Sequence, residues 1–364
     1  MCKRVAVLGA GNGGQALAGD LSLRGFKVGL WETETFRKNI DPIKKNDNVL
    51  EVELLGELKE AKLDMISTDM DKVVADREII CISAPSFACD IITKELANYI
   101  KPQQVLLYCP GGTGNALAGA KILRENNKNN SIAEFATLPY AARLGQPGVV
   151  KILLLVKKLY TGVFPAKNTE KIIEKLLPLF PESIETVTSV LESSLNNGNP
   201  ISHPIPTLLN ASRVALGIPY LFYKQIPSEM ARLNEKLDEE RMKICDVLGY
   251  KQICGAERLY LMGYSPKTEC LYDAYRLSQP FAKIQAPTSL YDRYLLEDVG
   301  YGLKVLAALG RQLGIETPIS DAVTTLAGSL LNIDFQRERN RNLADMSIDG
   351  MDVVRLKRFL IDGE

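Results

Sequence analysis

A glycine-rich turn between an apolar strand and a helix is the feature that most constrains the fold of this chain. Residues 4–8 (RVAVL) form a short apolar, β-branched run that is typical of a buried parallel strand. Residues 9–14 (GAGNGG) follow directly and satisfy the pattern G-x-G-x-x-G, and residues 15–24 have helical spacing. This order predicts the first βα unit of a doubly wound parallel sheet.

The same turn predicts a dinucleotide site. Gly9 permits a tight turn, Gly11 leaves room for a pyrophosphate against the backbone, and Gly14 lets the helix pack on the strand. Asn12 and Gly13 complete the loop at the start of the helix, where unpaired N–H groups and the positive dipole end attract phosphate. We therefore expect these five residues to bind a nicotinamide dinucleotide.

An acidic residue after the second strand bears on which dinucleotide binds. Glu32 follows the strand-like residues 27–31, at about the place expected for an acid that binds the ribose. A carboxylate accepts a hydrogen bond from a 2′-hydroxyl and repels a 2′-phosphate, which favours NAD. Arg37 and Lys38 follow closely, so NADP stays open as an alternative.

The composition excludes several classes of partner. Lysine plus arginine and aspartate plus glutamate both total 44, so no net field recruits nucleic acid or anionic lipid. The apolar runs are far shorter than the ~20 residues of a membrane span. Seven cysteines without a CxxC pair indicate reduced thiols, and no His/Cys cluster predicts a metal site. We expect a cytoplasmic enzyme that acts on small molecules; a homodimer is compatible with this sequence.

The length and the change of pattern predict two domains. In the first half, strand-like runs alternate with helical ones, which is typical of a Rossmann-type doubly wound parallel sheet over residues 1–190. A loop after one of these strands contains Ser83 and Pro85, and we expect both to line the cofactor crevice. Residues 151–163 are read as a later strand of this domain. Residues 191–364 carry mainly helical spacing and are predicted to form an all-α second domain.

One histidine, His203, is the only imidazole available for proton transfer near neutral pH. It lies in NNGNPISHP, at the start of the helical half, and Asn199 precedes it by four residues. In a helix these two residues would share a face. Taken alone, a single histidine is more often a satisfied structural residue than a catalytic one.

A second polar segment, residues 291–302 (YDRYLLEDVGYG), places ionisable side chains among large apolar ones. On spacing alone it is a helix with a solvated face, with Asp292, Arg293 and Glu297 pointing outward.

Together, NPISHP, RYLLEDVGYGL and LPYAAR, behind an N-terminal glycine turn, resemble the octopine/nopaline (opine) dehydrogenase family over nearly the whole chain. The resemblance implies NAD(P)H-dependent reductive condensation of an α-keto acid with the amino group of an amino acid. It implies a catalytic pair at His203 and Asp298, with Arg293 holding the keto acid. We further expect Asn199 to orient the substrate or the backbone.

These residue types suit the chemistry. Amine deprotonation and loss of water move protons near neutral pH, which an imidazole can do. A carboxylate on the other ring nitrogen would fix the tautomer and stabilise the imidazolium. Arginine can grip a carboxylate with two hydrogen bonds. We therefore expect His203 to face the nicotinamide crevice, with Asp298 within hydrogen-bond reach of one ring nitrogen.

Several alternatives stay open. Glu134, Thr137 and Arg143 either line the substrate pocket or serve as a salt bridge or strand-end cap. The chain could instead be a ketopantoate reductase-like or glycerol-3-phosphate dehydrogenase-like enzyme. Those families rely on a lysine, for which Lys224 is the candidate. A non-catalytic NAD-sensing protein is the third reading.

Overall fold

The computed structural model describes residues 3–364, which fall into two compact units. The first contains the chain up to Ala84, Ala88–Gly111 and Asn115–Val190. The second contains Pro85–Phe87, Gly112–Gly114 and Leu191–Glu364. No helix within residues 3–364 is long and apolar enough to cross a membrane.

The described residues contain the following strands: β1 (Arg4–Leu8), β2 (Lys27–Trp31), β3 (Val49–Leu54), β4 (Glu57–Lys62), β5 (Met65–Ser67), β6 (Ile79–Ile82), β7 (Val105–Tyr108), β8 (Ile132–Phe135), β9 (Tyr140–Leu144), β10 (Val149–Leu155), β11 (Leu159–Phe164) and β12 (Ile184–Thr186).

The α-helices of the first half are α1 (Asn12–Leu23), α2 (Asp41–Lys45), α3 (Met70–Val74), α4 (Ser86–Leu96), α5 (Asn115–Glu125) and α6 (Thr169–Leu176). Those that follow are α7 (Val190–Leu195), α8 (Asn199–Ser202), α9 (Pro204–Leu209), α10 (Ala211–Ala215), α11 (Ser228–Val247), α12 (Gly255–Met262), α13 (Leu271–Leu277), α14 (Arg293–Glu297), α15 (Lys304–Leu313), α16 (Pro318–Leu331) and α17 (Val353–Asp362). Short 3₁₀ turns cover Glu34–Asn39, Ala166–Asn168 and Ala344–Met346, and a π-helix covers Asp298–Leu303.

The main sheet of the first unit has the strand order β12-β11-β8-β7-β6-β1-β2-β5. Its central strands β6 and β7 are buried along their whole length because helices cover both faces, which explains their continuous apolar sequences. The strand β1 pairs in parallel with β2 on one side and β6 on the other. The chain therefore changes direction across the sheet at β1, and the carboxyl ends of β1 and β6 meet at this switch point. The predicted Rossmann-type fold class is confirmed.

A second, four-stranded sheet was not predicted. Its order is β4-β3-β10-β9, and it packs on α1, where a Cβ on Gly19 would lie 2.6 Å from Val52 Cγ2. The prediction of one strand over residues 151–163 is wrong, since β10 belongs to this sheet and β11 to the main one. Within the main sheet, β11 pairs antiparallel with β8, so that sheet is parallel except at this pair.

The second unit is helical, as predicted, with a core of aliphatic and aromatic side chains from most of its helices. A buried acidic side chain caps one of these helices. The Glu240 carboxylate on α11 accepts hydrogen bonds from the backbone N–H groups of Ile319 and Ser320 at the start of α16. Helix termini leave such donors without intrahelical partners, so this buried acid is satisfied by the helix that it caps.

Helix α8 packs very closely against the π-helix. A Cβ added to Gly302 would lie 2.4 Å from Pro200 Cγ, and one on Gly300 would lie 2.0 Å from the Arg339 carbonyl oxygen. Real Cβ atoms are essentially never found at such distances, so glycine is required at position 302 for α8 to touch the π-helix, and at position 300 for the backbone at Arg339 to touch it. The π-helix and α8 are thereby held side by side.

We predict that Gly302→Ala destabilises the protein by about 1–3 kcal/mol, because the added methyl group overpacks the contact with Pro200. Thermal and urea unfolding followed by circular dichroism measure the effect. Gly145→Ala is the control, since the nearest heavy atom to its added Cβ is Lys151 Cε at 3.4 Å. Equal unfolding midpoints for both variants and the parent would contradict the close packing.

Candidate functional site

The glycine turn of the first unit has the geometry that its sequence predicts. Gly9 has φ +103°, a value that L side chains rarely adopt, and a Cβ on Gly14 would lie 1.8 Å from the Gly9 carbonyl oxygen. At Gly11 an added Cβ would meet no heavy atom within 4 Å. Gly11 also occupies the N-cap of α1 without offering a side-chain oxygen to the first turn. The turn is therefore tight where the helix meets the strand and open where a pyrophosphate would lie.

The loop after β6 lies against this turn. A Cβ on Gly9 would lie 2.5 Å from the Ser83 carbonyl oxygen, and one on Gly13 would lie 2.8 Å from Ser83 Oγ. Ser83 is therefore next to the glycine turn. Pro85, the other residue predicted from this loop, begins the short segment Pro85–Phe87 that belongs to the second unit.

Glu32 lies at the end of β2 and is 7% exposed. Its carboxylate accepts hydrogen bonds from the Ala10 backbone N–H at 3.0 Å and from the Asn39 amide at 3.2 Å. The acid is thereby fixed beside the glycine turn. Arg37, which left NADP open, pairs instead with Glu34 at 2.6 Å and with Asp41.

Asn12 has a structural contact in addition to its place in the turn. Its side-chain oxygen accepts a hydrogen bond of 2.7 Å from the Leu144 N–H on β9. This contact ties the start of α1 to the second sheet.

His203 and Asp298 are brought together in the second unit. Asp298 Oδ2 lies 2.7 Å from Nδ1 of His203, and each side chain is 3% exposed. His203 is the residue between α8 and α9, and Asp298 is the first residue of the π-helix. The close packing of α8 on the π-helix therefore sets this distance. The hydrogen bond that we expected between them is present.

Two tyrosines around His203 were missed by the sequence analysis. Tyr223 Oη lies 2.8 Å from Nε2 of His203, and the Tyr294 ring stacks on the imidazole with a centroid separation of 3.9 Å and an angle of 11°. Tyr294 could have been found, because it lies four residues before Asp298 on a predicted helix. Tyr223 lies between α10 and α11, and no sequence periodicity points to it.

The environment of the pair changes its acidity. Burial raises the pKa of Asp298 to about 7, while the positive charge of Arg293 acts in the opposite direction. A carboxyl group that titrates near neutrality, in contact with an imidazole, holds and releases a proton within the range used by acid/base catalysts.

The other residues of the second polar segment differ in exposure. The Arg293 side chain is 44% exposed, lies over the Tyr294 ring, and has a nitrogen 3.6 Å from Glu297 Oε2. Asp292 caps α14 by accepting from the Tyr294 N–H. The prediction of a solvated face is wrong for Glu297, whose Oε1 accepts hydrogen bonds from the backbone N–H and the hydroxyl of Ser86.

Asn199, the predicted partner of His203 in the first polar segment, is the half-buried first residue of α8.

The remaining polar residues, whose use the sequence leaves open, have the following contacts. Glu134 is fully buried and accepts a hydrogen bond from the Ala116 N–H at the start of α5, so it caps that helix. Arg143 is exposed on β9 and donates to the neighbouring Ala142 carbonyl oxygen. Thr137 is half-buried. Lys224, the lysine of the alternative enzyme families, donates to the Arg276 carbonyl oxygen.

Two family models match this chain. The alpha-helical domain of NAD/NADP octopine/nopaline dehydrogenase matches residues 186–331. The N-terminus of NAD-dependent glycerol-3-phosphate dehydrogenase matches residues 4–136. The first match contains His203, Arg293 and Asp298, and the second contains the glycine turn.

Known proteins are similar over the whole length. The chain is 33% identical to the opine dehydrogenase of Arthrobacter sp. (strain 1C) over 98% of each chain. It is 26% identical to the vitopine synthase of Allorhizobium ampelinum, over 97% of this chain and 98% of the synthase. A solved octopine dehydrogenase with NADH and L-arginine has a TM-score of 0.75 at 18% identity, covering 100% of this chain and 98% of that one.

The resemblance seen in NPISHP and RYLLEDVGYGL is thus confirmed, and so is the expectation of an NAD(P)-dependent oxidoreductase. The readings as a different two-domain dehydrogenase or as a non-catalytic NAD-sensing protein are set aside. This chain belongs to the NAD/NADP-dependent octopine/nopaline (opine) dehydrogenase family.

Proposed function

We propose that His203, paired with Asp298, is the acid/base group of this opine dehydrogenase. The enzyme condenses an α-keto acid with the amino group of an amino acid, using NAD(P)H, and also catalyses the reverse oxidation. The observation that carries the proposal is the 2.7 Å contact between Nδ1 of His203 and the buried Asp298 carboxylate. It leaves Nε2 as the ring nitrogen that exchanges protons with the substrate.

The proton transfers follow from this arrangement. In the condensation, Nε2 accepts a proton from the substrate ammonium, the free amine attacks the keto carbon, and a proton of the amine moves to the keto oxygen, which gives a carbinolamine. The imidazolium then returns its proton to that hydroxyl group, which leaves as water, and the product is the protonated imine. Asp298 stabilises the imidazolium through Nδ1–H during these steps. Bound NAD(P)H supplies the hydride that reduces the imine.

We assign substrate binding to Arg293 and Asn199. The partly exposed Arg293 guanidinium can form two parallel hydrogen bonds with a keto-acid carboxylate. Asn199 precedes His203 by one helical turn, and its backbone carbonyl accepts a hydrogen bond of 3.0 Å from the His203 N–H. A role in orienting the substrate or the local backbone fits this position.

We assign the cofactor to the first unit, with Pro85 as a further contact. Gly9, Gly11, Asn12, Gly13 and Gly14 would hold the pyrophosphate against the start of α1, beside Ser83. Glu32 would accept from the ribose hydroxyls. This carboxylate, together with the engagement of Arg37 by two acids, supports NAD over NADP.

We also propose a domain division, a cellular location and a class of partners for this enzyme. The division into a dinucleotide domain over residues 1–190 and a catalytic domain over residues 191–364 follows the two functions. A cytoplasmic location fits an enzyme that draws NAD(P)H and keto acids from the intracellular pool. Its partners are its small-molecule substrates rather than nucleic acid or membranes, and a homodimer is compatible with this reading.

We predict that NADH is oxidised only when a keto acid and an amino acid are both present, because the reduced species is the imine. A matrix of pyruvate, 2-oxoglutarate and oxaloacetate against a panel of amino acids, read by NADH absorbance, tests this. Reactions without an amine are the control. NADH oxidation by a keto acid alone would contradict opine formation.

We predict that Asp298→Asn lowers kcat by roughly 10²- to 10⁴-fold, because an amide cannot stabilise the imidazolium. The rate of product oxidation by NAD⁺ should rise with pH through about 7 in the parent enzyme, since Asp298 loses its proton there and the pair becomes a base. In Asp298→Asn the oxidation rate should not show this rise near pH 7. Asp292→Asn is the control: Asp292 is a helix cap, and asparagine caps equally well. Equal losses in both variants would count against the pair.

We predict that Glu32→Gln raises KM for NADH by roughly tenfold and narrows the preference for NADH over NADPH, because the charged ribose acceptor is lost. Steady-state kinetics with both cofactors measure the change. Glu60→Gln, on the exposed strand β4, is the matched control. An unchanged cofactor ratio would exclude Glu32 from ribose recognition.

A further inference from the structure

Both ring nitrogens of the only histidine are occupied by protein groups. Asp298 contacts Nδ1 at 2.7 Å, and the Tyr223 hydroxyl contacts Nε2 at 2.8 Å. The imidazole is 3% exposed and Tyr223 is 5% exposed. A substrate can therefore reach Nε2 only by taking the place of the Tyr223 hydroxyl.

The directions of these two hydrogen bonds are linked. When Asp298 is ionised it can only accept, so Nδ1 must carry the proton. Nε2 then has a lone pair, and the Tyr223 hydroxyl must donate to it. Burial raises the pKa of Tyr223 well above its usual value, so the phenol keeps its proton and remains a donor.

The packing around Tyr223 holds its ring in place. The Phe281 ring stacks on it with a centroid separation of 3.9 Å and an angle of 9°, and Phe222 meets it edge-on at 5.1 Å. Aromatic contacts of this kind fix the ring, and because the phenol oxygen lies on the ring axis they also fix the position of Oη. Only the direction of the O–H bond stays free, and the acceptor at Nε2, 2.8 Å away, sets it.

We propose that Tyr223 is a positioning residue for His203. Its hydroxyl keeps Nε2 unprotonated and correctly aimed until a polar group of the substrate replaces it. This proposal rests on the proposed acid/base role of His203. The role of Tyr223 is separate from cofactor binding at the glycine turn and from the contact of His203 with Asp298.

Another buried tyrosine of the same cluster provides a matched comparison. The Tyr275 hydroxyl lies 3.0 Å from Ser202 Oγ and 3.3 Å from Asn234 Nδ2, and its ring centroid lies 5.4 Å from that of Tyr223. Loss of either hydroxyl removes one oxygen from a buried, hydrogen-bonded site. Only the loss at Tyr223 removes the donor to His203.

The single histidine allows a direct measurement on the unmodified protein. Untagged enzyme labelled with ¹⁵N-histidine gives ring-nitrogen NMR signals from His203 alone. At about pH 8, above the pKa of about 7 for Asp298, we expect a protonated Nδ1 and an unprotonated Nε2 that accepts a hydrogen bond. A protonated Nε2 at this pH would overturn the proposal.

The variant pair tests the consequence for catalysis. The titratable groups that contact the imidazole include Asp298, Tyr223 and the stacked Tyr294, over which the charged Arg293 lies, and the apolar Phe222 ring meets it edge-on. A donor to Nε2 disfavours the imidazolium, so Tyr223→Phe should move the acid limb of the kcat/KM profile upward by about half to one pH unit. We expect kcat/KM near neutrality to fall roughly three- to tenfold, with an unchanged KM for NADH.

Tyr275→Phe should leave the pH profile in place. The same profile in both variants would overturn the proposal, whatever their stabilities, and if Tyr223→Phe does not fold the NMR result decides. The variant His203→Ala tests the acid/base role of His203 separately from the positioning role of Tyr223. Full turnover in that variant would remove the proposed acid/base role itself. An inactive His203→Ala enzyme with an unshifted Tyr223→Phe profile would remove only the role of Tyr223.

Discussion

The hydrogen bond between His203 and Asp298 is the interaction on which the candidate site in the second unit depends. Removing a carboxylate from water costs several kcal/mol, and the cost is offset only if the buried group finds good partners. Asp298 has the imidazole as its partner, the imidazole has Tyr223 at its other nitrogen, and Tyr294 covers the ring face. Loss of Asp298, His203 or Tyr223 would leave a buried polar atom of its neighbour without a hydrogen-bond partner, at a cost of about 1–3 kcal/mol.

The backbone around this pair is built to allow it. Asp298 begins a π-helix, a form that is rare and often found at functional sites, and Gly302 in the same segment lets Pro200 approach. Pro200 lies on α8, and His203 follows α8 directly. The sequence NPISHP is therefore explained by packing as well as by chemistry: proline is tolerated at the start of a short helix, and the partner segment contributes glycine where the two meet.

Much of this could be predicted, for identifiable reasons. The first βα unit follows from local periodicity and glycine chemistry, and the pair followed from a family resemblance rather than from spacing. The second sheet could have been found, since apolar Leu50, Val52 and Leu54 alternate with two glutamates and a glycine follows at position 56, where the structure has a turn with positive φ. Tyr223 could not, because ring packing with residues distant in sequence places its hydroxyl. The burial of Glu297 likewise depends on Ser86, more than two hundred residues away.

Glu297 and Asp298 show how the surroundings separate two adjacent acids. Burial raises the pKa of both, and the Asp298 charge adds to the shift of Glu297. Glu297 is committed to two donors on Ser86, whereas Asp298 faces an imidazole that can itself take up or release a proton. Arg293 opposes the raised pKa of each. A guanidinium suits this position because it keeps its charge at every working pH and has donors enough for Glu297 and for a further carboxylate. The acid next to the imidazole is therefore the one free to take part in proton transfer, and its neighbour serves the structure that holds it.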